Sequence, residues 1–138
     1  MSAIEQSLIR KTFSFLEPEL IEELEEKGTI HTFYAGDIMV KKGQYFKSAL
    51  IVIEGLVKIY REDEEGNEFF IYYLEPGQAC ALSLVCASRQ ETSEIMAVAV
   101  KDTEVLTIPF HLIDVWMTRY KSWNNFVLSN YRQRFEEL

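Results

Sequence analysis

The side chains best suited to chemistry lie in one short stretch, GQACALSLVCASRQETS, at residues 77–93. This stretch contains both cysteines of the chain, Cys80 and Cys86, and a single cation, Arg89. Two thiols can serve redox chemistry or metal binding, whereas an arginine among backbone N–H groups can hold a small anion. The helices and strands on either side position this stretch. They therefore determine whether redox chemistry, metal binding or anion binding is possible there.

Metal chemistry is disfavoured because the chain has few ligating side chains. It has two cysteines and two histidines, His31 and His111. An iron–sulfur cluster or a structural zinc site normally needs about four such ligands. A metal-dependent barrel enzyme would need about three imidazoles and a carboxylate. We therefore predict that the protein has no metal, no other cofactor and no enzymatic activity.

The two cysteines have two explanations. Free cysteines commonly behave as small buried hydrophobic residues. Alternatively, Cys80 and Cys86 form a redox pair, which requires the backbone to bend so that the thiols can meet. Neither cysteine has a lysine or histidine close in sequence to favour the thiolate, although Arg89 is near. A redox sensor is therefore kept as an alternative function.

Composition and charge indicate one globular domain that does not grip nucleic acid by itself. The chain has 138 residues, 48% of them hydrophobic, and a net charge of −8. Such a surface repels a polyanion such as DNA on average. No apolar run is long enough to span a bilayer, and the N-terminus MSAIEQSLIRK has no apolar signal-peptide core. We expect a cytoplasmic protein with no membrane contact.

The chain divides into a helical segment at residues 1–28, a β-rich segment at 29–109 and a second helical segment at 110–138. In the first segment, Pro18 suits a first helical turn and Gly28 suits the end of the same helix. In the second, short strands alternate with turn residues at the spacing of a sandwich or barrel. The glycines that punctuate it are Gly36, Gly43, Gly55, Gly66 and Gly77.

The C-terminal segment predicts two helices. Ser122 is a suitable N-cap for the second helix. The apolar face of that helix either packs on the barrel or forms a dimer seam, and the two explanations are compatible. Nothing typical of a helix end follows Arg134, so we expect the chain to be a fragment of a longer protein. The residues of this apolar face are Trp123, Phe126, Val127, Tyr131 and Phe135.

The order of helix, roll, short helix and long helix resembles the sensor domain of the Crp/Fnr family of bacterial transcription regulators. The resemblance is carried by FYAGDIMVKKGQYFKSALIVIEGLVKIYREDEEGNEFFIYYLEPGQ at residues 33–78 and by KDTEVLTIP at 101–109. It implies a mainly β fold with flanking helices: an eight-strand jelly roll (double-stranded β-helix) of the cyclic-nucleotide-binding type, followed by a dimerisation helix. It further implies a homodimer whose helix-turn-helix domain, after residue 138, would read DNA.

Within this resemblance, residues 77–93 occupy the phosphate-binding cassette. Nucleotide binders of the family show roughly Gly-Glu-Leu, and about ten residues later Arg-Ser or Arg-Thr. This chain has Cys80-Ala81-Leu82 and then Thr92-Ser93, with Arg89 about three residues early. The candidate ligand-binding residues are Gly77, Ala79, Cys80, Ala81, Leu82, Ser83, Arg89, Thr92 and Ser93.

We therefore predict an effector-sensing domain that does not bind cyclic AMP as the nucleotide binders of this family do. The small residues of the stretch either simply pack the roll or form a pocket altered for some other small molecule, whose identity the sequence leaves open. Two alternatives remain, a dimerisation module without a ligand and the redox sensor based on Cys80 and Cys86.

Overall fold

The computed structural model describes residues 1–84 and 92–136. Arg89 and Cys86 therefore lie outside the described residues, and the predictions made for them have no structural counterpart here. The elements in chain order are α1 (Ala3–Thr12), α2 (Pro18–Lys27), β1 (Thr29–Phe33), β2 (Ile38–Val40), β3 (Ser48–Glu54), β4 (Val57–Glu62), β5 (Glu68–Leu74), β6 (Met96–Ala99), β7 (Thr103–Pro109), α3 (Phe110–Arg119) and α4 (Lys121–Glu136). A helical turn also occupies residues 81–84.

Two antiparallel sheets form the body of the molecule. One has three strands in the order β1-β7-β3, and the other has four in the order β2-β6-β4-β5. The resemblance implied eight strands, whereas seven are defined within residues 1–84 and 92–136. Isolated bridges join Tyr45 to Thr92 and Ile51 to Ala79. The side chains that face inward from both sheets, such as Ile51, Ile59 and Leu106, are fully buried.

Two glycines are required by close packing. Gly55 has φ +109°, and a Cβ there would lie 2.6 Å from the Cα of Thr103. Gly28 ends α2 as predicted, but its φ is −80°, which any residue can adopt. Its constraint is space, because a Cβ would lie 2.6 Å from the Leu106 side chain and from the Leu24 carbonyl oxygen. The helix α2 thus ends where the backbone packs closely against β7.

Ser122 does not cap its own helix, contrary to the prediction. It lies inside α4 and exchanges hydrogen bonds with Glu17, just before α2. The Glu17 carboxylate accepts from the Ser122 N–H at 3.0 Å and from its hydroxyl at 2.9 Å, while the Ser122 Oγ accepts from the Glu17 N–H at 3.0 Å. A carboxylate beside a helix N-terminus satisfies free N–H groups and complements the helix dipole. The side chain that caps α4 therefore belongs to Glu17, which is far from this helix in the sequence.

A second polar contact fixes the same junction. Glu23 of α2 accepts hydrogen bonds from the hydroxyl of Tyr120 and from the guanidinium of Arg119. Together with the Glu17–Ser122 pair, this contact ties α2 to the short connection between α3 and α4.

None of the helices in residues 1–84 and 92–136 has both the length and the apolar character that a membrane span requires.

Candidate functional site

The first half of the predicted cassette is a tight turn that runs against β3. Gly77 has φ +87° and donates from its N–H to the Val52 carbonyl at 2.8 Å. Cys80 donates from its N–H to the Leu50 carbonyl at 2.9 Å. The helical turn at residues 81–84 follows directly. The small side chains of this stretch allow the backbone to lie close to the strand.

The hydroxyls of the two serines among the candidate ligand-binding residues form hydrogen bonds within the chain. Ser83 is fully buried, and its Oγ donates to the Cys80 carbonyl at 2.7 Å and accepts from the Leu50 N–H at 3.0 Å. Ser93 is also buried, and its Oγ donates to the Ile95 carbonyl at 2.8 Å and accepts from the Ile95 N–H at 3.0 Å. Both hydroxyls therefore stabilise backbone turns.

Thr92 and Ser93 contact a different segment from the first half of the cassette. Thr92 forms an isolated bridge with Tyr45. The Ser93 N–H donates to the Gln44 carbonyl at 2.8 Å, and the Gly43 N–H donates to the Ser93 carbonyl at 2.8 Å. This pair of residues thus holds the turn that follows β2.

Cys80 is buried in the core as a small apolar residue. Its exposure is 1%. Burial raises the pKa of its thiol, and the N–H of Ser83 opposes that shift only in part. Because the thiolate is the reactive form, this cysteine is kept in an unreactive state at neutral pH.

The sequence analysis missed Asn130, which joins the cassette to α4. Its side chain is buried, with Oδ1 accepting from the Ala79 N–H at 3.0 Å and Nδ2 donating to the Phe126 carbonyl at 2.9 Å. The signal was present in the sequence, because Asn130 lies three residues after Val127 and four after Phe126, on the apolar face. A polar residue on such a face must find a buried partner.

The predicted dimer residues fall into two groups. Trp123, Phe126 and Val127 are buried within their own chain, with Trp123 packed edge-on against Trp116 at 5.2 Å between ring centroids. These three therefore have almost no surface to offer a second copy. In the last turns of α4, Tyr131 is half-buried and Phe135 is 76% exposed.

A groove of about 440 Å³ lies between β5, the helical turn at 81–84 and the end of α4. We call it the α4 groove, and its walls are almost wholly carbon. It brings together two predicted ligand residues, Ala81 and Leu82, with two predicted helix residues, Tyr131 and Phe135. Its lining residues are Ile71, Tyr72, Ala81, Leu82, Tyr131, Arg134 and Phe135.

Arg134 is the charged member of this lining. Its guanidinium carbon lies 3.9 Å from the centroid of the Tyr72 ring, a cation–π contact. Two of its nitrogens, Nε and Nη2, are buried. The contact thus joins the end of α4 to β5 at one wall of the groove.

Residues 30–120 match the family model described as the cyclic nucleotide-binding domain. The chain belongs to this family. The match ends one residue before α4 begins, so it covers the roll and the short helix α3. No curated protein has a significantly similar sequence.

Solved structures of transcription regulators share the fold. The sensor domain of the regulator DNR from Pseudomonas aeruginosa has a TM-score of 0.74 at 18% identity, covering 98% of this chain and 93% of that one. The catabolite activator protein of Thermus thermophilus has a TM-score of 0.73 at 22% identity, covering 91% of this chain and 58% of that one. A regulator assigned to the Crp/Fnr family from Eubacterium rectale has a TM-score of 0.73 at 23% identity, with coverages of 91% and 58%.

These comparisons confirm the predicted resemblance and the jelly-roll fold with its C-terminal helix. The chain spans about three fifths of the length of the Thermus and Eubacterium regulators, 58% in each case. It spans nearly all of the DNR sensor domain.

Proposed function

We propose that this chain is the effector-sensing domain of a cytoplasmic transcription regulator of the Crp/Fnr type. The observation that carries the proposal is the hydrogen bond between the Ala79 N–H and the Asn130 side chain, at 3.0 Å. It ties the cassette to α4 immediately beside the α4 groove. A ligand in that groove would therefore act on the loop and on the helix together.

The coupling follows from the two walls of the groove. One wall is the turn at residues 81–84, and the other is the last part of α4. A ligand binds more tightly to the arrangement in which the distance between these walls suits it. It therefore shifts the equilibrium between positions of α4, by an amount set by its difference in affinity for the two arrangements. Asn130 couples the position of α4 to the cassette. If the helix moved away, the buried Ala79 N–H would lose its acceptor, at a cost of about 1–3 kcal/mol.

The effector of this proposal is not a cyclic nucleotide. Binding a cyclic phosphate requires N–H groups and a cation that face the ligand. Here the N–H groups of Ala79 and Cys80 donate to Asn130 and Leu50, and the Ser83 hydroxyl is bonded internally. The sequence also has no carboxylate between Gln78 and Arg89 to accept a ribose hydroxyl.

The output of the sensor is a homodimer in which α4 pairs with its counterpart. Leu128, Tyr131 and Phe135 follow one another at spacings of three and four, the pattern of a coiled-coil seam. Leu128 is 45% exposed and Phe135 is 76% exposed. We call these three residues the α4 seam. Because Tyr131 and Phe135 also line the α4 groove, a bound effector would touch the seam directly.

DNA recognition in this proposal belongs to residues other than this acidic domain. Support comes from the net charge of −8 and from the greater length of the Thermus regulator. The two alternatives have less support. A ligand-free module gives no role to the α4 groove, and a redox sensor would rely on Cys80, which is buried and has a raised pKa.

The experiment measures coupling between ligand and dimer with a neutral apolar probe, N-phenyl-1-naphthylamine. Sedimentation equilibrium with and without the probe gives its effect on the dimer dissociation constant. We expect a shift of about fivefold or more in the native chain, as is usual for coupled sites. Asn130→Ala should reduce the shift to within about twofold, since the link to Ala79 is lost.

Asn125→Ala is the matched control, because Asn125 is an exposed asparagine on the same helix. It should keep the native shift. Circular dichroism melting of each variant shows that the fold is retained. A probe that binds the native chain and leaves the dimer constant unchanged would contradict the proposal.

A further inference from the structure

We infer that the effector of the α4 groove is an uncharged, apolar small molecule, and that the groove discriminates against ions of either sign. This inference rests on the proposed function, in which the α4 groove receives the effector. It adds the chemical class of that ligand, which differs from the charged cyclic nucleotide that gives the family its name.

The apolar class follows from the surface that the groove presents. Its walls are almost wholly carbon, and they combine the rings of Tyr131 and Phe135 with the aliphatic side chains of Ile71 and Leu82. An apolar ligand gains binding free energy against such walls in proportion to the area that it removes from water. A ligand rich in hydroxyls would place them against carbon without partners, which is unfavourable.

The one charged side chain of the described lining, Arg134, is already engaged. Its guanidinium carbon lies 3.9 Å from the centroid of the Tyr72 ring, and Arg134 takes part in a further interaction within the chain. Its Nε and Nη2 atoms are buried. Because the walls are almost wholly carbon, Arg134 contributes mainly its aliphatic stem to them. An anion in the groove would therefore lose its hydration without gaining a matching set of hydrogen-bond donors.

A cation is disfavoured for the corresponding reason. Among the described residues that line the groove, none is an aspartate or glutamate. Burial raises the pKa of the Tyr131 phenol, with a smaller effect from Asp114, so this hydroxyl is uncharged at neutral pH. The described lining thus offers no counter-charge to a cation, although the whole chain carries a net charge of −8.

The dimensions of the groove favour a small molecule over a second protein chain. Its volume of about 440 Å³ is in the range of small-molecule sites. Of its seven described lining residues, Tyr72 and Ala81 are buried, and only Ile71 and Phe135 are exposed. An interface between two proteins involves about 20–30 residues on each side. The groove is therefore too small and too enclosed to be such an interface by itself.

The test uses competitors of one chain length and different charge. These are n-octanol, octanoate and octylammonium, each titrated against N-phenyl-1-naphthylamine bound to the native chain, with the fluorescence of the probe as the readout. We expect n-octanol to displace the probe, and both ions to bind at least about tenfold more weakly, because each must give up its hydration. We also expect n-hexanol to bind about tenfold more weakly than n-octanol, since each CH₂ group contributes about fourfold.

Variants show whether this binding occurs in the α4 groove. Leu82→Trp should fill the groove and abolish binding of the probe and of n-octanol. Val115→Trp, at an exposed aliphatic position on α3 outside the lining, is the matched control and should change neither. If Leu82→Trp does not fold, Ile71→Trp replaces it, because Ile71 belongs to the same lining and is 40% exposed.

The outcomes separate this inference from the proposed function. If Leu82→Trp abolishes binding but either ion binds as tightly as n-octanol, or n-hexanol does, the inference is overturned and the effector groove remains. If the native chain does not bind the probe, or filling the groove leaves probe binding unchanged, the effector groove fails together with the inference.

Discussion

Gly55 shows how closely the strands approach at the turn between β3 and β4. Its φ of +109° is a conformation that L residues rarely adopt, and an added Cβ would lie 2.6 Å from the Cα of Thr103. Thr103 cannot move freely, because it is buried and its Oγ1 accepts from the Leu56 N–H and donates to the Lys101 carbonyl.

We therefore predict that Gly55→Ala lowers the free energy of unfolding by at least about 2 kcal/mol, from backbone strain plus overpacking. Gly66→Ala is the matched control, because Gly66 also has positive φ but open space around it. Its loss should be about 1 kcal/mol. Urea denaturation measures both. Equal losses in the two variants would show that the contact with Thr103 has no effect.

At the residue scale, the sequence could not predict what each side chain contacts. Of the candidate ligand-binding residues, Ala81 and Leu82 line the α4 groove. Ser83 and Ser93 were also candidates, and their hydroxyls bond to nearby backbone instead. Sequence shows that a hydroxyl is present, whereas its direction depends on backbone geometry that only the fold provides.

At the scale of elements, the Glu17–Ser122 pair connects the start of α2 to the start of α4. The two residues are 105 positions apart, so no local pattern could have predicted their contact. The same reason explains why Ser122 was taken for an ordinary N-cap. Apolar periodicity and glycine turns are local signals, so they can indicate helical and β-rich segments but not a contact of this kind.

This pair predicts a dependence of stability on pH. The backbone N–H of Ser122, followed by its hydroxyl, holds the pKa of Glu17 below its ordinary value. A carboxyl with a lowered folded-state pKa stabilises the fold above its unfolded-state pKa, about 4.3, and loses that contribution as the pH falls through the folded-state value. Acidification from neutral pH should therefore destabilise the native chain more than Glu17→Gln.

The measurement is the urea midpoint of each protein at neutral pH and below about pH 4. Glu19→Gln is the control, since Glu19 is exposed in the first turn of the same helix. Glu5 and Asp63 also have lowered pKa values, but they are unchanged in all three proteins and cancel in the comparison. If Glu17→Gln and the native chain lose the same stability on acidification, the pair does not contribute.

At the scale of the whole molecule, the two halves of α4 differ in how far their apolar side chains are buried. Its first half completes the core of its own chain, with Phe126 near Phe13 at 6.2 Å between ring centroids. Its second half carries the exposed residues of the α4 seam. The sequence could not separate these halves, because core and interface faces are equally apolar. It therefore placed Trp123 among the candidate dimer residues, whereas Trp123 is buried within its own chain.

We predict that Leu128→Glu weakens the homodimer by at least about tenfold, because a charge would replace the apolar side chain that begins each seam. The stability of the monomer should change little, since Leu128 is 45% exposed. Val115→Glu, at a comparably exposed position on α3 (41%), is the control and should leave the dimer intact. Sedimentation equilibrium measures both. A native chain that stays monomeric at every concentration would contradict the seam.

We propose that this domain of the cyclic nucleotide-binding family, in which the Ala79 and Cys80 N–H groups and the Ser83 and Ser93 hydroxyls all bond within the chain, binds no cyclic nucleotide at its cassette. Isothermal titration calorimetry with cyclic AMP and cyclic GMP tests it most directly. Loss of one charge-assisted hydrogen bond to the phosphate and one to the ribose should weaken binding by about a hundredfold or more, so we predict no micromolar binding of either nucleotide. Stoichiometric binding at micromolar or tighter affinity, abolished by Arg89→Ala, would contradict the account.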